Sequence, residues 1–136
     1  MKIATFNINN INKRLDNFIE WLRAEKPDVA CLQELKGTDA EFPIDAIQRE
    51  GYHAAWRGQR SWNGIAVLAR GSEPVVTRTA LPGDPADTQS RYLEAAVNGV
   101  LIGGAGFPGG AFPTRHAARS HASSGCPCSD SSCLQR

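Results

Sequence analysis

The sequence predicts an α/β protein, and three observations carry that reading. An apolar, β-prone run opens the chain at residues 2–8, an amphipathic helical pattern follows over 12–26, and a second apolar run covers 28–34. Together they occupy about 33 residues, the size of a strand–helix–strand unit, whose right-handed crossover sets the two strands parallel. Hydrophobic residues at 41% and charged residues at 21% are ordinary for a globular domain, and 136 residues suffice for one domain with a modest core.

The first strand ends in Asn7-Ile8-Asn9-Asn10, where Asn10 or Asn12 is placed to cap a helix. Within 12–26, Leu15, Phe18, Ile19 and Leu22 recur at i, i+3, i+4 and i+7, with Arg14, Asp16, Asn17, Glu20 and Arg23 on the other face. Lys26 suits the last turn and Pro27 stops the helix. The run from Asp28 is near-continuously apolar, as in a strand covered on both faces.

Residues 43–50 then read as a short helix closed by Gly51. Strands are expected at 52–56 and 65–70, paired as a hairpin across the polar turn 57–64. Further strands are expected at 75–81 and 92–97, with a loop at 81–85 between them. Asn98-Gly99 turns tightly into a last strand at 100–102. No internal repeat is present.

The net charge of +1 announces no polyanionic partner, so nucleic-acid binding would need a local basic patch. No apolar run of about 18 residues exists, and the N-terminus lacks the apolar stretch of a signal peptide, so a cytoplasmic protein without a membrane partner is expected.

Composition changes near Gly103. Residues 1–102 hold twelve Lys/Arg and thirteen Asp/Glu, whereas 103–136 hold three Arg and one acid, Asp130, among Gly, Ala, Ser, Pro and Cys. Apolar side chains there reduce to Phe107, Phe112 and Leu134, too few to offset the entropy of ordering. The chain is therefore divided into a domain at 1–102 and a low-complexity tail at 103–136, expected to be disordered or the product of GC-rich codons read out of frame. Cys31 lies in an apolar run and reads as a small hydrophobe. Cys126, Cys128 and Cys133 with His116 and His121 supply enough donors for tetrahedral zinc, but their spacing matches no established finger.

Function is sought at the C-terminal ends of the parallel strands, where open α/β sheets bind ligands. Asn7 and Glu34 occupy those ends. A carboxylate following a buried strand is costly unless neutralised, and a hard cation such as Mg²⁺ would neutralise it. A solvated or salt-bridged surface Glu is the plain alternative.

Three blocks sharpen this. Met1-Lys2-Ile3-Ala4-Thr5-Phe6-Asn7-Ile8-Asn9 resembles the opening strand of exonuclease III-type AP endonucleases, members of the endonuclease/exonuclease/phosphatase superfamily. Pro27-Asp28-Val29-Ala30-Cys31-Leu32-Gln33-Glu34-Leu35-Lys36 resembles that family's metal-site signature, and Trp62-Asn63-Gly64 before Ile65–Arg70 is similar to its third block. The resemblance covers residues 1–102 and implies half of a four-layer α/β sandwich: one mixed β-sheet with helices on one face, followed by an irregular tail.

By the same resemblance, Glu34 is a metal ligand and Asn7 lines the metal and phosphate site, with Mg²⁺ as cofactor and Mn²⁺ as its substitute. Arg60, Asn63 and Gly64 fall where the family's early loops approach the DNA backbone. Gln33 and Lys36 support the Glu34 carboxylate, and Arg91 is structural. The implied reaction is phosphodiester hydrolysis in double-stranded DNA, at abasic sites or 3′ ends, by a monomer.

The family's general base, a His oriented by Asp, and its further Asp/Asn pair belong to later blocks that do not appear here. His116 and His121 precede Ala117 and Ala122 and receive no role. With one sheet of two, an inner face including Phe6, Leu32 and Val67 is expected to lie exposed, leaving a truncated chain that is marginally stable and close to inactive. A non-functional gene fragment and a DNA-binding module without cleavage are the competing readings.

Overall fold

The computed structural model describes residues 1–81, 83 and 86–106. The tail features from Phe107 onward, including the His116, His121, Cys126, Cys128 and Cys133 set, lie outside the described residues. So do Pro82, Asp84 and Pro85 of the expected 81–85 loop.

The first strand, β1 (Ile3–Asn7), leads through a turn into α1 (Leu15–Glu25) and then β2 (Val29–Gln33). β1 and β2 pair in parallel with Asn7 opposite Gln33, so the predicted strand–helix–strand unit is present. The helix starts three residues later than the apolar pattern suggests. Asn10 does not cap it. Its Oδ1 accepts from the Lys13 backbone N–H within the preceding turn, and Arg14 stands at the cap without a side-chain bond. Phe18 and Leu22 form the buried stripe, and the helix ends on Lys26 in the left-handed region, its N–H donating to the Leu22 carbonyl.

A 3₁₀ turn at Asp39–Glu41 precedes α2 (Ile44–Arg49), which places Ile47 in the core. β3 (Tyr52–Arg57) and β4 (Ile65–Arg70) form the expected antiparallel pair. β4 also pairs antiparallel with β2, giving a four-stranded sheet in the order β1-β2-β4-β3.

The remaining strands do not extend that sheet. β5 (Val75–Arg78), β6 (Tyr92–Val97) and β7 (Val100–Ala105) make a second, antiparallel sheet in the order β5-β6-β7. β5 stops at Arg78 rather than 81. β7 runs through Gly103, Gly104 and Ala105, which composition had placed in the tail. The described residues are thus α/β with three layers: α1 and α2, the four-stranded sheet, and the three-stranded sheet.

The alternation of side chains explains both cores. On β2, Ala30 and Leu32 join Phe18, Leu22, Ile47 and Leu68 under the helices, while Val29 and Cys31 join Ile65, Val67, Leu93, Val97 and Ile102 between the sheets. The expectation of an exposed inner face built from Phe6, Leu32 and Val67 is therefore corrected. Leu32 and Val67 are fully buried, on opposite faces: Leu32 under the helices, and Val67 between the sheets, where β6 and β7 lie over β2 and β4. Phe6 remains 38% exposed, as expected, but on the helix side, where it stacks on Trp21 at 5.7 Å between ring centroids. Cys31 is a buried free thiol whose pKa burial raises. None of the described helices is long and apolar enough to cross a membrane.

Candidate functional site

The loops that follow β1 and β2 are zipped together. Ile8, Asn10 and Ile11 donate their backbone N–H groups to the carbonyls of Gln33, Glu34 and Leu35 at 2.9–3.1 Å. Ile8, Ile11 and Leu35 are themselves buried, so apolar anchors hold the polar residues between them in place. Glu34 and Lys36 both take left-handed backbone conformations, φ +55° and +54°, on either side of Leu35. Such conformations cost on the order of 1–2 kcal/mol for non-glycine residues and persist only where the surroundings impose them.

The result is a compact polar cluster. Asn7 Nδ2 donates to Glu34 Oε1 at 2.8 Å. Asn7 Oδ1 accepts from the Asn9 backbone N–H at 3.1 Å, which fixes the amide so that its NH₂ faces the carboxylate. The other carboxylate oxygen, Oε2, lies 3.3 Å from Lys36 Nζ, and both side chains are about one-sixth exposed (16% and 17%). Lys36 also donates to Asn9 Oδ1 and sits 3.5 Å from the centroid of the Trp62 ring. Asn7, Asn9, Arg14, Glu34 and Trp62 line a polar hollow of about 490 Å³ over this cluster.

The loop between β3 and β4 closes one wall. Leu35 and Lys36 donate backbone N–H groups to the carbonyls of Gly64 and Asn63 at 3.2 and 3.0 Å. Gly64 has φ +96°, and a Cβ there would meet Leu35 Cβ at 2.7 Å, so only glycine allows this approach. Arg91 Nε donates to Asn63 Oδ1 at 2.8 Å, which is the structural part expected of Arg91.

Of the residues singled out in the sequence, Asn7, Glu34, Lys36, Asn63 and Gly64 are brought together here. Arg60 is not among the residues lining the hollow. It pairs with Glu41 Oε1 at 3.3 Å, and the Thr38 backbone N–H and hydroxyl with Arg60 hold the Glu41 carboxyl below its ordinary pKa. Gln33 does not support Glu34 either. Its side chain turns to the other sheet face, donating to Thr5 Oγ1 at 2.9 Å and to the Cys31 carbonyl. Asn9, Arg14 and Trp62 were passed over. An aromatic in an otherwise polar turn and a second Asn two residues after a strand end were the signals available.

The donor set suits a hard cation in part. Mg²⁺ keeps several waters and is commonly held by one or two carboxylates, so a single oriented Glu beside an open polar hollow fits such an ion. Among the described residues, however, no group of three or more His, Cys, Asp or Glu converges. The one described histidine, His53, is exposed on β3.

Comparison with known proteins gives a consistent picture. The profile of the Endonuclease/Exonuclease/phosphatase family matches residues 4–126. The chain is 37% identical over 95 residues to an exodeoxyribonuclease III from Haemophilus influenzae, covering 70% of this chain and 35% of that protein. It is 29% identical over 100 residues to the DNA repair nuclease APEX1 of Danio rerio, covering 70% and 32%. Among solved structures, a 3′ phosphatase from Neisseria bound to a product DNA hairpin superposes with a TM-score of 0.71 at 40% identity, over 76% of this chain and 40% of that one. An AP endonuclease from Archaeoglobus fulgidus gives 0.69 at 38% identity, over 76% and 39%. The chain thus spans about a third of the length of the two curated relatives named, 35% and 32%.

Proposed function

This chain belongs to the endonuclease/exonuclease/phosphatase family, and from that premise we propose that its polar hollow is the metal-binding part of a DNA phosphodiesterase site of the exodeoxyribonuclease III and AP endonuclease type. The observation that carries the reading is the Asn7–Glu34 hydrogen bond at the C-terminal rim of two parallel strands.

Each residue has a part. Glu34 offers its carboxylate to a divalent cation, Mg²⁺ or Mn²⁺. Asn7 holds one of its oxygens and orients it, while Lys36 balances its charge from the other side. Bound there, the cation would supply Lewis-acid stabilisation to a phosphate oxygen. The loop carrying Asn63 and Gly64 forms the wall past which a DNA backbone runs, and Arg60 at its outer end meets phosphate after exchanging Glu41 for it. Abasic duplex DNA and 3′ ends are the substrates this reading names.

Phosphodiester hydrolysis also needs a base to take the proton of the attacking water. No His–Asp pair is present among the described residues, and the reading assigns those residues the holding of metal and DNA backbone rather than turnover.

Mn²⁺ titration of the purified chain, followed by electron paramagnetic resonance, tests the reading without depending on turnover. One bound ion is expected, lost in Glu34→Gln and restored in Glu34→Asp with weaker affinity. Mn²⁺ uptake indifferent to Glu34→Gln sinks the proposal. Cleavage of abasic duplex DNA by the chain alone, abolished in Glu34→Ala, refutes only the assignment of holding without turnover.

A further inference from the structure

The Lys36 ammonium stands between three partners of different kinds. Glu34 Oε2 lies 3.3 Å away, Asn9 Oδ1 accepts a hydrogen bond from Nζ, and the centroid of the Trp62 ring is 3.5 Å from it. Charge-assisted bonds between an ammonium and a carboxylate run at about 2.7–2.9 Å. The Glu34 contact is longer than that. Lys36 is therefore anchored by a neutral amide oxygen and an aromatic face, and Glu34 adds attraction across a gap.

Both anchors are fixed in place. The Asn9 backbone N–H donates to Asn7 Oδ1 at 3.1 Å, and Lys36 donates its own backbone N–H to the Asn63 carbonyl at 3.0 Å, next to Trp62 in the chain. The charges at the hollow do not balance in favour of a cation. Among the described residues lining it Glu34 is the one carboxylate, and Arg14 lines it too, with Lys36 set against Glu34. A cation that bonds Glu34 thus meets an ammonium already drawn to the same oxygen. The Lys36 and Glu34 side chains are largely enclosed, so solvent and salt screen that repulsion weakly. An indole face stabilises an ammonium through the ring quadrupole, so Lys36 keeps a seat once Glu34 is taken.

We propose that Lys36 is a built-in competitor for the divalent cation at Glu34. It neutralises the carboxylate in the metal-free chain, and it yields Oε2 and withdraws onto Asn9 and the Trp62 ring when a divalent cation binds. Lys36 thereby sets the affinity of the site from the opposing side: its charge weakens cation binding, whereas a supporting residue would strengthen it. The inference rests on the reading of Glu34 as a metal ligand and goes beyond it by assigning Lys36 and Trp62 a coupled movement. Asn7 and Lys36 then act on the two carboxylate oxygens in opposite senses, Asn7 orienting Oε1 and Lys36 guarding Oε2.

The test titrates the full chain with Mn²⁺, read by electron paramagnetic resonance, and with Mg²⁺, read by tryptophan emission. Lys36→Met keeps the length of the stem and removes the charge, and it is expected to bind Mn²⁺ about ten-fold more tightly than wild type or better. Lys36→Arg keeps the charge and should stay within about three-fold of wild type. Lys36→Gln, expected to tighten binding like Lys36→Met, guards against one variant failing to fold. Saturation with Mg²⁺ should shift the emission of wild type as the ammonium settles on the Trp62 ring. That shift should vanish in Trp62→Phe, which retains Trp21 and Trp56, and in Lys36→Met. A residue that merely props up the loop would loosen cation binding when replaced, so tighter binding separates the two roles. Equal or weaker Mn²⁺ affinity in Lys36→Met and Lys36→Gln overturns the proposal, as does an emission shift that persists in Lys36→Met. If Mn²⁺ uptake depends on Glu34 but ignores the charge at Lys36, this inference alone fails; uptake indifferent to Glu34→Gln removes the metal reading and this inference together.

Discussion

Asn7 and Glu34, 27 residues apart in sequence, meet in a 2.8 Å hydrogen bond because β1 and β2 lie parallel and their following loops are zipped by backbone bonds. The amide donates and the carboxylate accepts, so Asn7 acts on Glu34 rather than beside it. A partner that orients a metal ligand typically contributes about 10–100-fold in metal affinity. Asn7→Ala is therefore expected to weaken Mn²⁺ binding by about that factor, and Asn7→Asp to weaken it less or strengthen it by adding charge. Isothermal titration of the variants measures this, and equal affinity in wild type and Asn7→Ala rejects the orienting role.

The wall of the hollow depends on Gly64. Its φ of +96° and the 2.7 Å approach of a Cβ to Leu35 Cβ act together, whereas Gly71, at φ +71°, has open space around it. The left-handed conformation alone costs about 1–2 kcal/mol, and overpacking adds about 1–3. Gly64→Ala should lower unfolding stability by about 2–5 kcal/mol and Gly71→Ala by about 1–2. Urea denaturation of both reads the difference. Equal losses mean that Leu35 yields freely and the loop is not pinned there.

Leu93 tests the second sheet. It is fully buried on β6, in the core between the sheets with Ile65, Val67 and Ile102. Truncating such a side chain costs about 2–5 kcal/mol. Leu93→Ala is expected to fall in that range, as Leu68→Ala should on the helix side. A near-neutral Leu93→Ala restores the uncovered inner face that the sequence alone suggests.

Much of this architecture was legible in the sequence, and the exceptions have physical causes. The 3.6-residue spacing of Leu15, Phe18, Ile19 and Leu22 marks α1, and the unbroken apolar runs mark β2 and β4, because burial sets those patterns. Sheet membership leaves no such mark. Val75–Arg78 and Tyr92–Val97 read as strands, but nothing local says that they stack on the first sheet instead of widening it. The end of β7 was missed because Gly103 and Gly104 look like loop residues. A Cβ at Gly104 would lie 3.1 Å from Ile65 Cδ1, so the absence of a side chain serves the sheet packing. At the site, motif spacing singled out Asn7 and Glu34, while the Trp62 ring over Lys36 arises from a loop crossing that periodicity cannot encode.

Acid should loosen the fold through its paired carboxylates. Asp28 accepts from the Lys2 backbone N–H at 2.7 Å and from Arg70 Nη2 at 2.6 Å, tying the start of β1 to the ends of β2 and β4. These bonds, the backbone one foremost, hold its carboxyl below the ordinary 3.8. Lys2 lowers Glu25 from 4.5 and Arg23 lowers Glu50 likewise, each chiefly by a side-chain hydrogen bond. A carboxyl with a depressed folded-state pKa contributes stability that is fully present above its unfolded value and disappears as pH falls through the folded one. The urea midpoint should therefore be level from about pH 7 to 5 and decline below about pH 4.5. Asp28→Asn should lower the neutral-pH midpoint and flatten the acid decline. Glu25 and Asp28 are open to solvent, so added salt should shrink their contribution at neutral pH, and that of the more enclosed Glu50 less. A midpoint that holds steady or rises between pH 4.5 and 3 contradicts the assignment, since protonation would then be breaking nothing that the folded chain relies on.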